Sequence, residues 1–266
     1  MNLFHNIVYI NRTFVSTMNS LYLVIPVLSG IIGASIASWL VQEYDNYQRD
    51  YKNFKDRVFV RSTCDFCQKN LNLSELFPVF SYLFQRGKSR CCKKPITKKY
   101  IFFEILGALI FIFGIMFNSL QISFLAIFII FLIFCDEKYQ EIPIWNNLFI
   151  LTWVVLELYF NHSNSQILQN LFAASCACII LLLIYYSYLK IKGTEGIGLA
   201  DIFLLFTAFL YFGLPASFYL LTLASLSLIL KIILTQQFKS KHAFGSWIAG
   251  FFLMFTVYQE FYGTVG

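Results

Sequence analysis

Charged residues and proline are scarce in this sequence. Of its 266 residues only 13% are charged and 5 are proline, whereas 58% are hydrophobic. A soluble globular domain has about 25% charged residues, and a chain of this composition has too little polar surface to cover a water-soluble fold. The shortage of charge therefore excludes an ordinary soluble protein, and the apolar excess predicts that most of the chain lies in lipid.

Histidine is rare and a cleavable signal peptide is lacking. The 3 histidines, His5, His162 and His242, lie in or near predicted loops and form no nucleophile–base set, so a serine or cysteine peptidase has no support. The apolar run at 21–39 is too long for the hydrophobic region of a signal peptide and lacks a convincing cleavage site. We expect this run to be retained as the first membrane span.

Apolar segments long enough to cross a bilayer, about 20 residues each, recur along the chain. The stretch 101–135 is too long for one span, because a single helix of that length would extend about 50 Å. A polar break at Asn118, Ser119 and Gln121 instead predicts a tight hairpin of two short spans. The predicted spans are 21–41, 101–117, 120–135, 144–160, 166–190, 198–212, 215–235 and 243–260. The expected fold class is an all-α integral membrane protein of eight transmembrane helices with one cytoplasmic loop domain.

The basic residues indicate how these spans are oriented. Residues 42–99 hold thirteen of the 20 lysines and arginines. If this loop is cytoplasmic and the spans alternate, only Arg12 of all the basic residues lies outside, as the positive-inside rule requires. We therefore predict an outer N-terminus and first span (1–41), a cytoplasmic cysteine-containing loop domain (42–99), a seven-span core (100–260) and a tail (261–266). A membrane-flanking loop accounts for the basic charge, so nucleic acid is not expected as a partner.

Two aspartates lie where spans meet the predicted cytoplasmic side. Asp136 ends the third span and Asp201 begins the sixth, and ionisable residues in spans are costly enough to be candidates for function. Two carboxylates brought together in a low-dielectric site cannot both be charged, so they share one proton. One can then activate water while the other polarises a carbonyl. The alternative is that each aspartate separately caps a helix or reaches the interface.

Glu104 is a third acidic residue in an apolar segment, one turn into the second predicted span. One interpretation is a carboxylate that the positive end of a helix dipole stabilises. The other is a side chain that supports the active site. The sequence leaves both open.

Four cysteines in the 42–99 loop suggest a metal site. Cys64 and Cys67 form a C-x-x-C pair with the spacing of a tetrahedral zinc site, and disulfides are not expected in a cytoplasmic loop. The second pair, Cys91 and Cys92, is adjacent, and adjacent cysteines seldom both bind one zinc ion. The expected ligands are therefore Cys64, Cys67 and Cys92, with Cys91 doubtful. A reduced loop without metal is the alternative.

Several motifs, taken in order, resemble the type IV prepilin peptidase family. Asp136 is followed by Ile142-Pro143 as in the first aspartate motif of that family, and Gly198-Leu199-Ala200-Asp201 is similar to its G-x-G-D motif, with Gly196 just before it. Further similar segments are Gly30-Ile31-Ile32-Gly33-Ala34-Ser35, Cys64-Asp65-Phe66-Cys67, Leu76-Phe77-Pro78-Val79-Phe80-Ser81-Tyr82-Leu83 with Arg86-Gly87-Lys88, and Cys92, Pro95-Ile96, Tyr100 and Glu104.

This resemblance implies an aspartic endopeptidase of the bacterial cytoplasmic membrane. Its partners would be a prepilin or pseudopilin precursor and the membrane lipid, and it would cut a positively charged leader from the precursor. Asp136 and Asp201 would be catalytic, with Gly196, Gly198, Ala200, Ile142, Pro143 and Glu104 supporting them. Proteolysis would need no cofactor, zinc would occupy the cysteine loop, and S-adenosylmethionine would serve the N-methylation that many family members also perform.

The sequence departs from the family pattern at three positions. Ala200 replaces the second motif glycine, Phe203 stands where lysine is usual, and Ser89 stands where the third zinc cysteine is expected. Two other functions therefore stay open. One is a proton-coupled transporter with the aspartates in its ion pathway, and the other is a catalytically silent assembly homologue.

Overall fold

The structure is a computed structural model that describes residues 24–45, 62–64, 66–236 and 242–263. Within these residues it is all-helical, which confirms the predicted fold class. The α-helices are α1 Val24–Asp45, α2 Phe80–Phe84, α3 Lys98–Met116, α4 Leu120–Tyr139, α5 Ile144–Asn161, α6 Asn164–Lys192, α7 Leu199–Thr235 and α8 Phe244–Tyr262, with a short 3₁₀ helix at Leu73–Glu75. Some of the basic residues counted in the orientation argument lie outside the described residues, namely Arg12, Arg49, Lys52, Lys55, Arg57, Arg61, Lys239 and Lys241.

Five of these helices are long and apolar enough to cross a membrane, namely α1, α3, α4, α6 and α7. α5 and α8 coincide with the fourth and eighth predicted spans but fall outside these five. α7 covers both the sixth and the seventh predicted span. The chain is thus a multi-pass helical protein, and the count of eight crossings stays a prediction.

α7 is two antiparallel helices joined at Gly213. This glycine has φ 73° and ψ −175°, which is not helical, and Pro215 follows it. The Ser217 hydroxyl donates to the Ala208 carbonyl at 3.0 Å, so the chain folds back on itself. We call the halves α7a (199–212) and α7b (214–235). α7a and α7b therefore correspond to the sixth and seventh predicted spans, which this tight turn connects.

Asn170 of α6 completes the α7 turn. Its side-chain nitrogen donates to the carbonyl oxygens of Leu210 at 3.1 Å and Tyr211 at 3.4 Å. Helix ends leave carbonyls without intrahelical partners, and in a low-dielectric interior such groups must be paired by protein. A Cβ at Gly213 would lie 2.8 Å from the Asn170 Oδ1 atom, so both the conformation and the space require glycine.

The hairpin between α3 and α4 forms as predicted. Asn118 has φ 56° and reverses the chain between the two helices. The Ser119 amide donates to the Gly114 carbonyl at 2.7 Å, and the Ser123 hydroxyl donates to the Ile110 carbonyl at 3.0 Å. The polar break therefore marks a real turn between two short helices.

The described chain falls into two compact units, one up to Phe124 and one from Leu125. In the first, α1 and α3 pack antiparallel, with the Ser29 hydroxyl donating to the Phe111 carbonyl at 3.3 Å. At the other end of the pair, Lys99 and Tyr100 bond Asp45. In the second unit, α4 to α8 surround a hydrophobic core that includes Leu132, Ile150, Leu205, Ile248 and Phe252. The predicted division by membrane side stays a prediction.

Candidate active site

In the second unit, the ends of four helical segments converge on Asp136 and Asp201. Asp136 lies near the end of α4 and is 4% exposed, and Asp201 lies in the first turn of α7a. A Cβ added at Gly245, in the first turn of α8, would lie 2.6 Å from Asp201 Oδ1 and 3.2 Å from Asp136 Oδ2. The two oxygens are separated by no more than the sum of these distances, less than about 6 Å. The fold therefore brings the two predicted aspartates together.

Helix N-termini surround the pair. The Ser246 amide in the first turn of α8 donates to Asp136 Oδ2 at 2.5 Å, and Asp201 occupies the first turn of α7a, beginning at the N-cap Gly198. The positive ends of helix dipoles stabilise negative charge nearby. Both carboxylates thus lie where a single negative charge shared between them is favoured.

A second layer of polar contacts joins α4, α7b and α8 beside the pair. Lys231 pairs with Glu137 at 2.9 Å, and the Ser246 hydroxyl donates to the same carboxylate at 3.0 Å. Lys231 lies near the far end of α7b from the turn. Because Lys231 lies beside Glu137, α4 and α7b end at the same end of the unit. α7a and α8 begin there. This arrangement agrees with the predicted alternation of these spans.

The residues around the predicted motifs position the pair. Ile142 is 8% exposed, and its Cδ1 atom would lie 2.5 Å from a Cβ at Gly245. Pro143 is the N-cap of α5. A Cβ at Gly198 would lie 3.2 Å from Asp201 Oδ2, whereas one at Gly196 would meet the Tyr188 ring. Ile142 and Gly198 thus lie beside the carboxylates, Pro143 begins α5, and Gly196 lies in the turn between α6 and α7a.

Ala200 leaves the space between the carboxylates open. Its side chain packs against the hydrophobic core, and its carbonyl accepts a hydrogen bond from the Asn147 side chain at 3.1 Å. The extra methyl group at the second motif position is therefore accommodated in the core.

Gly245, Ser246 and Asn147 are site residues that the sequence analysis did not single out. Asn147 is 1% exposed, and its Oδ1 atom is buried without a hydrogen-bond partner among the residues that the structure describes. A buried amide in an apolar helix is costly, so the two asparagines after Pro143 were a usable signal. The glycine at the start of the last span was visible too, but only the fold shows what it approaches.

Glu104 belongs to the first unit. It is 7% exposed, and it accepts hydrogen bonds from the Ser38 hydroxyl at 2.7 Å and the Val79 amide at 2.6 Å. It therefore joins α1, α3 and the loop before α2. These contacts link elements of the first unit, and a support role at the active site stays a prediction.

All four loop cysteines converge, which corrects the doubt about Cys91. The Sγ atoms of Cys64, Cys67, Cys91 and Cys92 lie within 4.8 Å of one another. Residues 90–92 form a turn, so adjacent side chains there are not forced to opposite sides as they would be in a strand. Four thiolates at this separation fit the tetrahedral zinc sites of proteins, so the cluster could bind zinc.

Two knuckles of the same form build the cluster. In the first, the Cys64 amide donates to Lys69 O and the Gln68 amide donates to Cys64 O, both at 2.9 Å. In the second, the Ser89 amide donates to Lys94 O and the Lys93 amide donates to Ser89 O, also at 2.9 Å. Ser89 and Cys92 thus correspond to Cys64 and Cys67, and Cys91 supplies the fourth sulfur.

The thiols of the cluster differ in acidity. Burial opposes the charge on Cys64, but hydrogen bonds from the Cys67 and Phe66 amides and from the neighbouring thiols outweigh it and lower its pKa to about 6. The bond to Cys67 raises the pKa of Cys91 to about 12. Because zinc binds thiolates, loading the cluster must release a proton from Cys91.

An all-helical bundle whose helix ends bring two aspartates together has the arrangement of a membrane aspartic peptidase. Comparison with known families identifies this class further. Residues 14–118 match the bacterial peptidase A24 N-terminal domain, and residues 123–234 match the type IV leader peptidase family. The chain belongs to this family and is a bacterial multi-pass membrane protein.

Individual relatives agree with the family match. A prepilin leader peptidase/N-methyltransferase of Pectobacterium carotovorum subsp. carotovorum is 27% identical over 203 residues, which cover 71% of each chain. Proteins with the same description from Dickeya chrysanthemi and Bacillus subtilis (strain 168) are 26% and 38% identical, over 73% and 31% of this chain and 72% and 36% of their own lengths. No solved structure gives a significant match.

Proposed function

We propose that this protein removes the leader of type IV prepilins or pseudopilins, with Asp136 and Asp201 as the catalytic pair. The observation that carries the proposal is the separation of the two carboxylates, less than about 6 Å, which a single water molecule can bridge. One carboxylate takes a proton from this water, and the resulting hydroxide attacks the scissile carbonyl. The other carboxyl group, protonated, donates a hydrogen bond to the carbonyl oxygen.

The position of the pair suits such a substrate. A prepilin has a basic leader on the cytoplasmic side and an apolar helix in the bilayer, so its cleavage site lies at the inner interface. The carboxylates lie at the end of α4, which is long and apolar enough to span, and at the start of α7a, which corresponds to the sixth predicted span. Gly198 and Gly245 keep side-chain carbon away from them, which leaves room for an extended substrate strand.

The proposal includes a zinc ion with a structural role but no methyl-transfer step. Zinc bound by the four cysteines would hold the two knuckles together, and we assign it no catalytic step. For S-adenosylmethionine, the first unit has a cavity of about 150 Å³ bordered by Glu75, Tyr100 and Glu104. Sites that enclose a molecule of that size measure roughly 300–1,000 Å³, so the cavity does not fit the whole molecule and we derive no methyl-transfer step.

The test is cleavage of a co-expressed pseudopilin by membranes that contain each variant. Asp136→Asn and Asp201→Asn should each lower the cleavage rate by at least about 10³-fold, because a single carboxylate cannot be both base and acid. Glu157→Gln in α5, a conservative change of another acidic residue, should cleave normally. Equal accumulation of all variants in the membrane is the control for folding.

Two results would refute this proposal. Normal cleavage by both aspartate variants would leave an assembly role. A transporter would be indicated if the unaltered protein cleaved nothing and the aspartate variants lost an ion-coupled flux that the unaltered protein has. Mass spectrometry of the cleaved N-terminus reports methylation in the same experiment.

A further inference from the structure

The extramembrane part of the first unit carries an exposed surface that combines large apolar side chains with cations. The apolar members are Phe77, Phe80, Leu83 and Phe84, and the basic members are Arg86, Lys88, Arg90 and Lys93. We call this set the aromatic–basic surface. Phe84 is 81% exposed and Leu83 60% exposed, and apolar groups clustered in this way usually mark an interaction site.

Hydrogen bonds hold this surface at the depth of the membrane boundary. The Val79 amide, between Phe77 and Phe80, donates to Glu104, which also accepts from Ser38. Glu104 lies six residues after the start of α3, and Ser38 lies seven residues before the end of α1. At 1.5 Å per residue, both positions are about 10 Å inside the ends of two helices long enough to span. The segment that carries the phenylalanines is therefore fixed beside the ends of the spans.

The backbone around Val79 supports this anchoring. Val79 has φ 61°, a conformation that β-branched residues rarely adopt. Such a conformation persists when surrounding contacts fix it, and the bond to the buried Glu104 is one such contact. The exposed side chains on either side of Val79 are thus held outward by the fold.

The cations border an open pocket of about 450 Å³ next to Phe84. Its lining consists of Phe84, Gln85, Arg86, Lys88, Arg90 and Lys93, so four positive charges meet without an acidic side chain among them. Within the described residues none of the four forms an ion pair. A pocket with this charge suits a phosphate group, for which guanidinium and ammonium groups are the usual partners.

We propose that the aromatic–basic surface docks on the membrane and binds the phosphates of anionic phospholipids. The phenylalanine side chains enter the interfacial layer, as amphipathic segments do, while the four cations contact the headgroups. A basic prepilin leader does not fit this pocket because both carry positive charge. This lipid site is separate from the paired aspartates and does not depend on the peptidase proposal.

The depth of the surface can be tested by photo-crosslinking in the full-length protein. p-Benzoylphenylalanine is placed at position 84 and the protein is reconstituted in nanodiscs of phosphatidylcholine and phosphatidylglycerol. Illumination should give adducts with the mass of a lipid, as it should at Phe113, an exposed residue in the last turn of α3. The same group at the exposed Asn70 is the comparison outside the surface. Adducts at position 84 with protein only, such as a second copy of the chain, would overturn the proposal.

Lipid selectivity is tested with two variants that remove equal charge. Lys88→Gln with Lys93→Gln alters the pocket, and Lys190→Gln with Lys192→Gln removes two lysines at the end of α6. Binding of phosphatidylglycerol, measured by native mass spectrometry of the purified protein, should weaken by about thirtyfold in the pocket variant and stay within twofold in the α6 variant. Equal weakening in both, or none in the pocket variant, would show that the pocket is not a phosphate site.

Discussion

At the scale of single residues, the candidate active site depends on a glycine, Gly245, whose lack of a side chain leaves room for the two carboxylates. Gly245 begins the last helix, and its α-carbon approaches both carboxylates and Ile142. Because the neighbours of this glycine are the two carboxylates that we propose to be catalytic, a side chain added here would displace them.

Gly245→Ala should abolish most activity without preventing membrane insertion. The added Cβ would lie 2.5 Å from Ile142 Cδ1 and 2.6 Å from Asp201 Oδ1, and a displacement of about 1 Å at reacting groups can cost 10²-fold in rate. Gly250→Ala in the same helix is the matched control, since no described atom beyond its own stretch of helix lies within 4 Å of its added carbon. The measurement is the rate of pseudopilin cleavage, and equal rates in both variants would contradict the role of Gly245.

The cysteine cluster gives a second prediction at this scale. Cys91→Ser should lower the zinc content of the purified protein well below one ion per chain, because it removes one of four thiolates. Adding Ser89→Cys to that variant should restore zinc, since Ser89 occupies the position in its knuckle that Cys64 occupies in the other. Elemental analysis measures the metal, with Cys176→Ser as a control outside the cluster. Full zinc content in Cys91→Ser alone would exclude Cys91 as a ligand.

At the scale of helices, turns inside apolar sequence decide how the spans alternate. The turns at Asn118 and Gly213 each reverse the chain within a few residues. Without the second turn, α7 would be a single helix of 37 residues, about 55 Å long, and Lys231 could not reach Glu137. The short connections therefore bring the ends of α4, α7 and α8 to one place.

Asn170→Leu should destabilise the α7 turn. It removes the donor that pairs the Leu210 and Tyr211 carbonyls, and a buried unpaired acceptor costs about 1–3 kcal/mol. The thermal unfolding temperature of the purified protein in detergent should fall accordingly. Asn161→Leu, at the exposed end of α5, should change the free energy of unfolding by no more than about 0.5 kcal/mol. A larger effect at Asn161 than at Asn170 would contradict this account of the turn.

At the scale of the whole molecule, orientation follows from where the basic residues lie. Lys138 lies in the last turn of α4, and Lys190 and Lys192 lie in the last turn of α6. Both of these helix ends are predicted to be cytoplasmic. Alternation of the eight predicted spans places all three on the side of the basic loop. This distribution predicts that the paired aspartates lie at the cytoplasmic face of the membrane.

Reporter fusions test the orientation. Alkaline phosphatase, which is active only outside the cytoplasm, should be active when fused after His162 and inactive when fused after Lys192. A single span over 101–135 would reverse both results. Equal activity at both positions would contradict alternation across α6.

The sequence alone determined the apolar segments, the turn at Asn118, the two aspartates at span ends and the likeness to a peptidase family. These features depend on local hydrophobicity, on charge counted along the chain and on motif spacing, all of which can be read in order. Only the tertiary structure decided that Gly245 lies between the carboxylates, that Asn170 pairs the carbonyls before Gly213, and that Cys91 joins the cluster. Those contacts join residues distant in sequence or depend on the shape of a turn, and hydrophobicity and charge do not encode which side chains then meet.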